Sequence, residues 1–123
     1  MSTEAAIQAQ ILIAWGSHPR VRIWRSNAGS AWAPDGAGGF RPIVLSVKGT
    51  PDLVGAIKMP GGYAIWFGVE CKVPKTTTRG ATHLNPDQRA FHAFAKEFNM
   101  LCIVARSVED VDAALAQIGV TRV

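Results

Sequence analysis

The stretch Tyr63-Ala-Ile-Trp-Phe-Gly-Val-Glu-Cys-Lys72 constrains this chain more than any other. Side chains alternate faces along a β-strand, so Tyr63, Ile65, Phe67, Val69 and Cys71 fall on one face and Ala64, Trp66, Gly68, Glu70 and Lys72 on the other. A strand this apolar is expected at the centre of a sheet and covered on both sides, where a Glu and a Lys at its end are costly unless they find partners. Upstream, Gly49-Thr50-Pro51-Asp52-Leu53 leads into another strand, and Met59-Pro60-Gly61-Gly62 joins the two as a hairpin-like connection. That brings Asp52 within reach of Glu70. A divalent cation plus a phosphate is the least costly partner set. Asp52 and Glu70 would hold the cation through oxygen, and Lys72, ~7 Å from Glu70 by strand rise, would sit beside the phosphate.

The rest of the chain is expected to frame this pair. Ser2 or Thr3 can cap a helix running to about Trp15, with Glu4 in the first turn, where a carboxylate suits the helix dipole. Ile7 and Ile11 share the face of Glu4, which turns that carboxylate inward and makes it a site candidate as well as a capping residue. Gly16-Ser17-His18-Pro19 ends the helix and Val21 to Arg25 alternates as a strand. From Ser26 to Pro42, four glycines and Pro34 predict a long loop. That loop lacks the Lys-Ser/Thr ending of a phosphate-binding loop, and Arg25, Asn27, Trp32 and Arg41 could grip a DNA backbone or stack on an unpaired base. Ile43 to Val47 and Leu53 to Ile57 read as further strands, and the Gly49-Thr50-Pro51 turn needs nothing beyond tight-turn chemistry.

After Lys72 comes a polar segment, Val73 to His83, in which Lys75 and Arg79 stand among four threonines and suit phosphate contacts. Asn85-Pro86-Asp87-Gln88 is a strong helix start, and Gln88 falls at the capping-box position while sharing the face of Phe91. Capping and active-site positioning both stay open for it. Phe91, Phe94, Ala95 and Phe98 form the expected buried stripe, and His92 falls outside it, exposed. Leu101 to Ala105 is an apolar strand, and Ser107 caps a last helix with Val108, Val111, Leu115 and Ile118 inward and Gly119 as its stop. The expected fold is α/β, a mixed sheet flanked by helices.

With 123 residues the chain is expected to form a single domain, 1–123, with no room for a separate targeting module. Its 48% apolar content excludes a disordered chain, and no apolar run approaches the ~20 residues of a membrane span. The N-terminus lacks a basic n-region, so a cytoplasmic location in a bacterial or phage-infected cell is expected. A net charge of +4 favours a polyanionic partner. Cys71 and Cys102 read as reduced structural thiols. His18, His83 and His92 have no serine or cysteine spaced to join them, which argues against nucleophile-histidine catalysis.

The order Gly-x-Pro-Asp followed by Glu-x-Lys on the next strand resembles the PD-(D/E)XK nuclease superfamily, and its spacing resembles the virus-type replication-repair nuclease (VRR-NUC) family. Glu4 in a first helix, Trp24-Arg25-Ser26-Asn27-Ala28-Gly29 after it and Gln88 opening the later helix also look like that family, so the resemblance spans Glu4 to about Ala105. It implies a restriction-endonuclease-like α-β-β-β-α-β-α core and a Mg²⁺- or Mn²⁺-dependent DNA endonuclease. The cation would be held by Asp52, Glu70, the Cys71 carbonyl and Glu4, with Lys72, Gln88 and Glu4 completing the catalytic set. Arg25, Asn27, Lys48, Lys75 and Arg79 would contact DNA. Small stand-alone members look like homodimeric resolvases of branched DNA, which implies a four-way junction as substrate and a second copy for the paired cut. A restriction-type nuclease on linear duplex and a non-catalytic nucleic-acid-binding domain are the rival expectations.

Overall fold

A computed structural model of the chain describes residues 3–26, 30–44, 47–74 and 83–122. Helix α1 (Glu4–Trp15) begins where the Thr3 hydroxyl accepts the Ala6 N–H at 3.0 Å, and Ile7, Ile11 and Trp15 form its buried stripe. Strands β1 (Val21–Arg25), β4 (Leu53–Met59) and β5 (Tyr63–Cys71) are antiparallel neighbours, and β6 (Leu101–Ala105) joins β5 in parallel, giving the order β1-β4-β5-β6. A parallel neighbour needs a crossover, which α2 (Pro86–Glu97) supplies; α3 (Val108–Ala116) follows β6. The protein is therefore α/β, a mixed four-stranded sheet flanked by helices.

The two faces of the sheet differ. Val21, Leu53, Ile57, Phe67, Val69, Cys71 and Ala105 turn towards α1 and α3 and close the core with Ile7, Ile11, Trp15, Val111, Leu115 and Val120. The Trp15 indole N–H donates to the Asp112 carboxylate at 3.0 Å, tying α1 to α3. On the other face α2 lies against β6 and the C-terminal half of β5. β5 is accordingly central, but it is covered on both sides only in that half: its first residues, from Tyr63, are exposed.

Three further expectations are corrected. The stretch from Ser26 to Pro42 is not simply a loop, because β2 (Ser30–Pro34) pairs with β3 (Phe40–Val44) as a separate two-stranded sheet, and the strand expected over Ile43 to Val47 is shifted towards the N-terminus. Its glycines serve the turn: Gly36 and Gly38 have positive φ, and the Asp35 carboxylate accepts the N–H groups of Ala37 at 2.8 Å and Gly39 at 3.1 Å. On α2 only Phe91 and Ala95 are buried; Phe94 and Phe98 are 42% and 62% exposed and pack on one another along the helix, with ring centroids 4.9 Å apart. His92 is half-buried, its Nε2 has no partner among the described residues, and burial lowers its pKa. The helix ends with Asn99 at φ 55°, a left-handed conformation that Asn tolerates. No described helix is long and apolar enough to cross a membrane.

Candidate functional site

The register that pairs Leu53 with Val69 carries Asp52 to a position opposite Glu70 at the sheet edge. Asp52 Oδ2 accepts the backbone N–H of Cys71 at 2.9 Å, which holds its carboxylate across the strand end. The turn before it is held by Ser26, whose N–H donates to the Asp52 carbonyl at 2.9 Å and whose hydroxyl donates to the Pro51 carbonyl at 2.7 Å. Gly49 at φ 83° lies so close to α2 that a Cβ there would strike the Asp87 carbonyl. The turn is thus more than an ordinary tight turn. Its glycine lets the strand carrying Asp52 touch the helix carrying Gln88.

Gln88 performs both roles that its sequence context left open. Its N–H donates to Asn85 Oδ1 at 2.9 Å and its Oε1 accepts the Asn85 N–H at 3.0 Å, completing a capping box. Its amide nitrogen donates to Glu70 Oε1 at 2.8 Å. Capping uses the oxygen and the carboxylate uses the nitrogen, so neither excludes the other.

Glu70 and Lys72 are 3% and 4% exposed, the two buried charged side chains among the described residues. Lys72 Nζ lies 3.8 Å from Glu70 Oε1. Glu70 Oε2 is buried and has no hydrogen-bond partner among the described residues. Burial, then the neighbouring Asp52 charge, push the Glu70 carboxyl up to about 8 against the pull of Lys72. Asp52 stands near enough that a hydrogen bond between the two would act in the same direction, and two carboxylates share one only if one of them carries a proton. With both ionised, neither has a hydrogen to offer and Oε2 is left unsatisfied. A proton between the two resolves this, and so does a cation. The donor set, all oxygen and doubly anionic, fits a hard divalent ion such as Mg²⁺ or Mn²⁺.

Glu4, at the start of α1, adds to the negative potential at both Glu70 and Cys71. Among the described residues, however, no three His, Cys, Asp or Glu side chains stand close enough to hold a metal by themselves. A cation here would rest on two carboxylates and complete its shell with backbone or water oxygen. The Cys71 side chain turns into the core, on the opposite face of the sheet from Glu70, and burial and the surrounding carboxylates push its thiol up to about 12; the backbone carbonyl is the ligand that residue could offer. Cys102 is likewise raised to about 12, mainly by burial.

Of the residues expected to contact DNA, Arg25 lies on the α1 side of the sheet with its Nε 3.4 Å from Gln8 Oε1, and Lys48 is exposed in the turn before Asp52. Trp32 and Arg41 are exposed on the β2–β3 hairpin. Asn27, Lys75 and Arg79 lie outside the described residues.

Sequence reasoning missed Trp66. Its indole folds across Gly68 towards Pro51, where a Cβ on Gly68 would meet Trp66 at 2.7 Å and Pro51 at 2.8 Å. Phe91 packs against it in a tilted arrangement, with ring centroids 5.7 Å apart and the planes at 46°. The two rings stand on the face of the sheet that carries Glu70. A glycine within an apolar strand marks a close approach, and that signal was present at Gly68.

The chain matches no known protein family, no characterised protein and no solved structure.

Proposed function

We propose that the protein is a DNA endonuclease of the PD-(D/E)XK type, dependent on Mg²⁺ or Mn²⁺. Restriction-endonuclease-like topology and the VRR-NUC resemblance belong to this reading. The observation that carries it is the unsatisfied Glu70 Oε2, buried opposite Asp52 with Lys72 alongside. A stable fold gains nothing from burying a carboxylate opposite a second, half-buried one, whereas a phosphodiesterase needs both ionised around a cation.

A bound divalent ion would polarise the phosphate and make water a stronger acid. Asp52 and Glu70, with the Cys71 carbonyl, would hold it. Asp52 is steadied by the Cys71 N–H and Glu70 by the Gln88 amide, so both carboxylates are oriented before substrate arrives. Lys72, nearly buried beside Glu70, would lie next to the attacked phosphate and orient the attacking water or offset charge building on the phosphorane. Glu4 contributes negative potential and positions outer water. Arg25, Lys48, Lys75 and Arg79, with Asn27, supply contacts to the DNA backbone.

One site cuts one strand, so branched DNA such as a four-way junction would be resolved by two copies of the chain. Cleavage of junction, flap and linear duplex DNA with Mg²⁺ or Mn²⁺, comparing wild type with Lys72→Ala, tests this. Cutting of junctions lost in the variant is the expected result; defined ends on linear duplex point to a restriction-type enzyme. The binding-module alternative draws on the absence of a third metal-ligating side chain among the described residues, and it prevails if wild type and variant bind DNA equally and neither cuts.

A further inference from the structure

The face of the sheet that carries Glu70 is only partly roofed by α2. Among the described residues the same face is open over β1, the second half of β4 and the start of β5, where it presents Arg22, Trp24, Ala56, Lys58, Ala64 and the flank of Trp66, while Val54 beside Trp24 is buried. We propose that this open half is a binding track for single-stranded nucleic acid, with Trp24 stacking on an unpaired base and Arg22 and Lys58 contacting phosphates.

Trp24 is 54% exposed on a regular strand, although an indole in β1 could have been buried by turning to the α1 side, as Val21 and Ile23 do. Its register neighbour is Val54, which in turn pairs with Gly68. Arg22 pairs with Ala56 and Lys58 with Ala64, so each cation has a small side chain opposite it and the face stays flat. Among the described residues no carboxylate lies on this face before Asp52 and Glu70 at its end. A flat aromatic platform flanked by cations and free of acids complements a polyanion whose bases are unpaired; in a duplex the base faces are already stacked. A second copy laid on the same face would instead bring Arg22 and Lys58 into a shared low-dielectric interface with like charges.

The track also leads somewhere. Two strand spacings and two residues separate Trp24 from Glu70, ~12 Å between backbones. A strand stacked on Trp24 would therefore pass the carboxylates within the few nucleotides that such sheet platforms cover. Only this last step rests on the nuclease reading; binding does not.

The experiment is fluorescence anisotropy of a labelled short oligodeoxythymidylate, titrated with the full chain in EDTA so that no cleavage can occur, beside sedimentation of the same samples. Wild type binds, Trp24→Ala weakens binding roughly tenfold, and Trp24→Phe, which retains a ring, restores most of it. Joint Arg22→Ala and Lys58→Ala substitution lowers the slope of log affinity against log salt by ~1.4, the value for two phosphate contacts on a single strand. Binding by Trp24→Ala equal to wild type overturns the track, as does failure of wild type to bind. A Trp24→Ala variant that converts a dimer to a monomer overturns it too, since a second copy then occupies the face. If wild type binds through Trp24 but cuts no DNA with Mn²⁺, the track stands and the nuclease reading fails; if it cuts while Trp24 is irrelevant to binding, the reverse holds.

Discussion

Replacing Glu70 with Gln should make the metal-free protein more stable at alkaline pH. The reason lies in where its proton sits. The carboxyl titrates near 4.5 in an unfolded chain and is raised to about 8 in the fold. Between those values the native state keeps a proton that the unfolded state has released, so stability is fully present below pH 4.5 and is lost as pH rises towards 8. At 1.36 kcal/mol per pH unit the loss reaches ~5 kcal/mol if fully expressed, and water entering the opened site reduces it to a few. Either figure is large against the ~5–15 kcal/mol that holds a domain together. Glu70→Gln reproduces the shape of the protonated carboxyl, can still accept from Gln88, and cannot ionise. Thermal unfolding followed by circular dichroism in EDTA should show the wild-type midpoint falling between pH 5 and 8.5. The variant should stay nearly flat and lie ~10 °C or more above wild type at the upper end, at ~4–8 °C per kcal/mol. Mn²⁺ should raise the wild-type midpoint most at high pH, because the ion competes with the proton, and should leave the variant almost unmoved. A flat wild-type profile, or a variant less stable than wild type at pH 8.5, would refute the argument that Glu70 is buried facing Asp52.

Three other perturbations separate position from chemistry. Asn85→Ala should cost ~1 kcal/mol in a urea titration and leave cleavage intact, whereas Gln88→Ala should cost a similar amount and also lower the rate, because only Gln88 reaches Glu70. Equal rates for the two would reduce Gln88 to a cap. Gly49→Ala should destabilise by ~2 kcal/mol or more, since a Cβ at φ 83° meets the Asp87 carbonyl, and a denaturation midpoint unchanged from wild type would mean that the turn and α2 do not touch. Lys72→Met, which keeps the buried volume without the charge, should abolish cleavage while the far-ultraviolet circular dichroism stays native; substantial residual activity would remove Lys72 from the chemistry.

Much of this arrangement was legible before any coordinates. Period-two alternation in Tyr63 to Lys72 set which residues share a face, and the Asn-Pro-x-Gln start of α2 and the Gly stop of α1 are local signals that tertiary context had no reason to override. The β2–β3 hairpin escaped because a Gly-rich, Pro-containing segment reads as a breaker, while the Asp35 side chain that folds its turn is a geometric fact. Phe94 and Phe98 were misplaced because helical periodicity reveals a face without revealing where the sheet beneath it ends.

Local patterning along the chain thus determined which elements form and which charged residues lie near the end of an apolar strand. Only the tertiary structure decided that Glu70 faces Asp52 with one oxygen unsatisfied, that Gln88 caps and binds with opposite ends of one amide, and that half a sheet face lies open beside them. Those outcomes depend on distances of a few ångströms between residues far apart in the chain, and periodicity, which acts within a single element, carries no information about them.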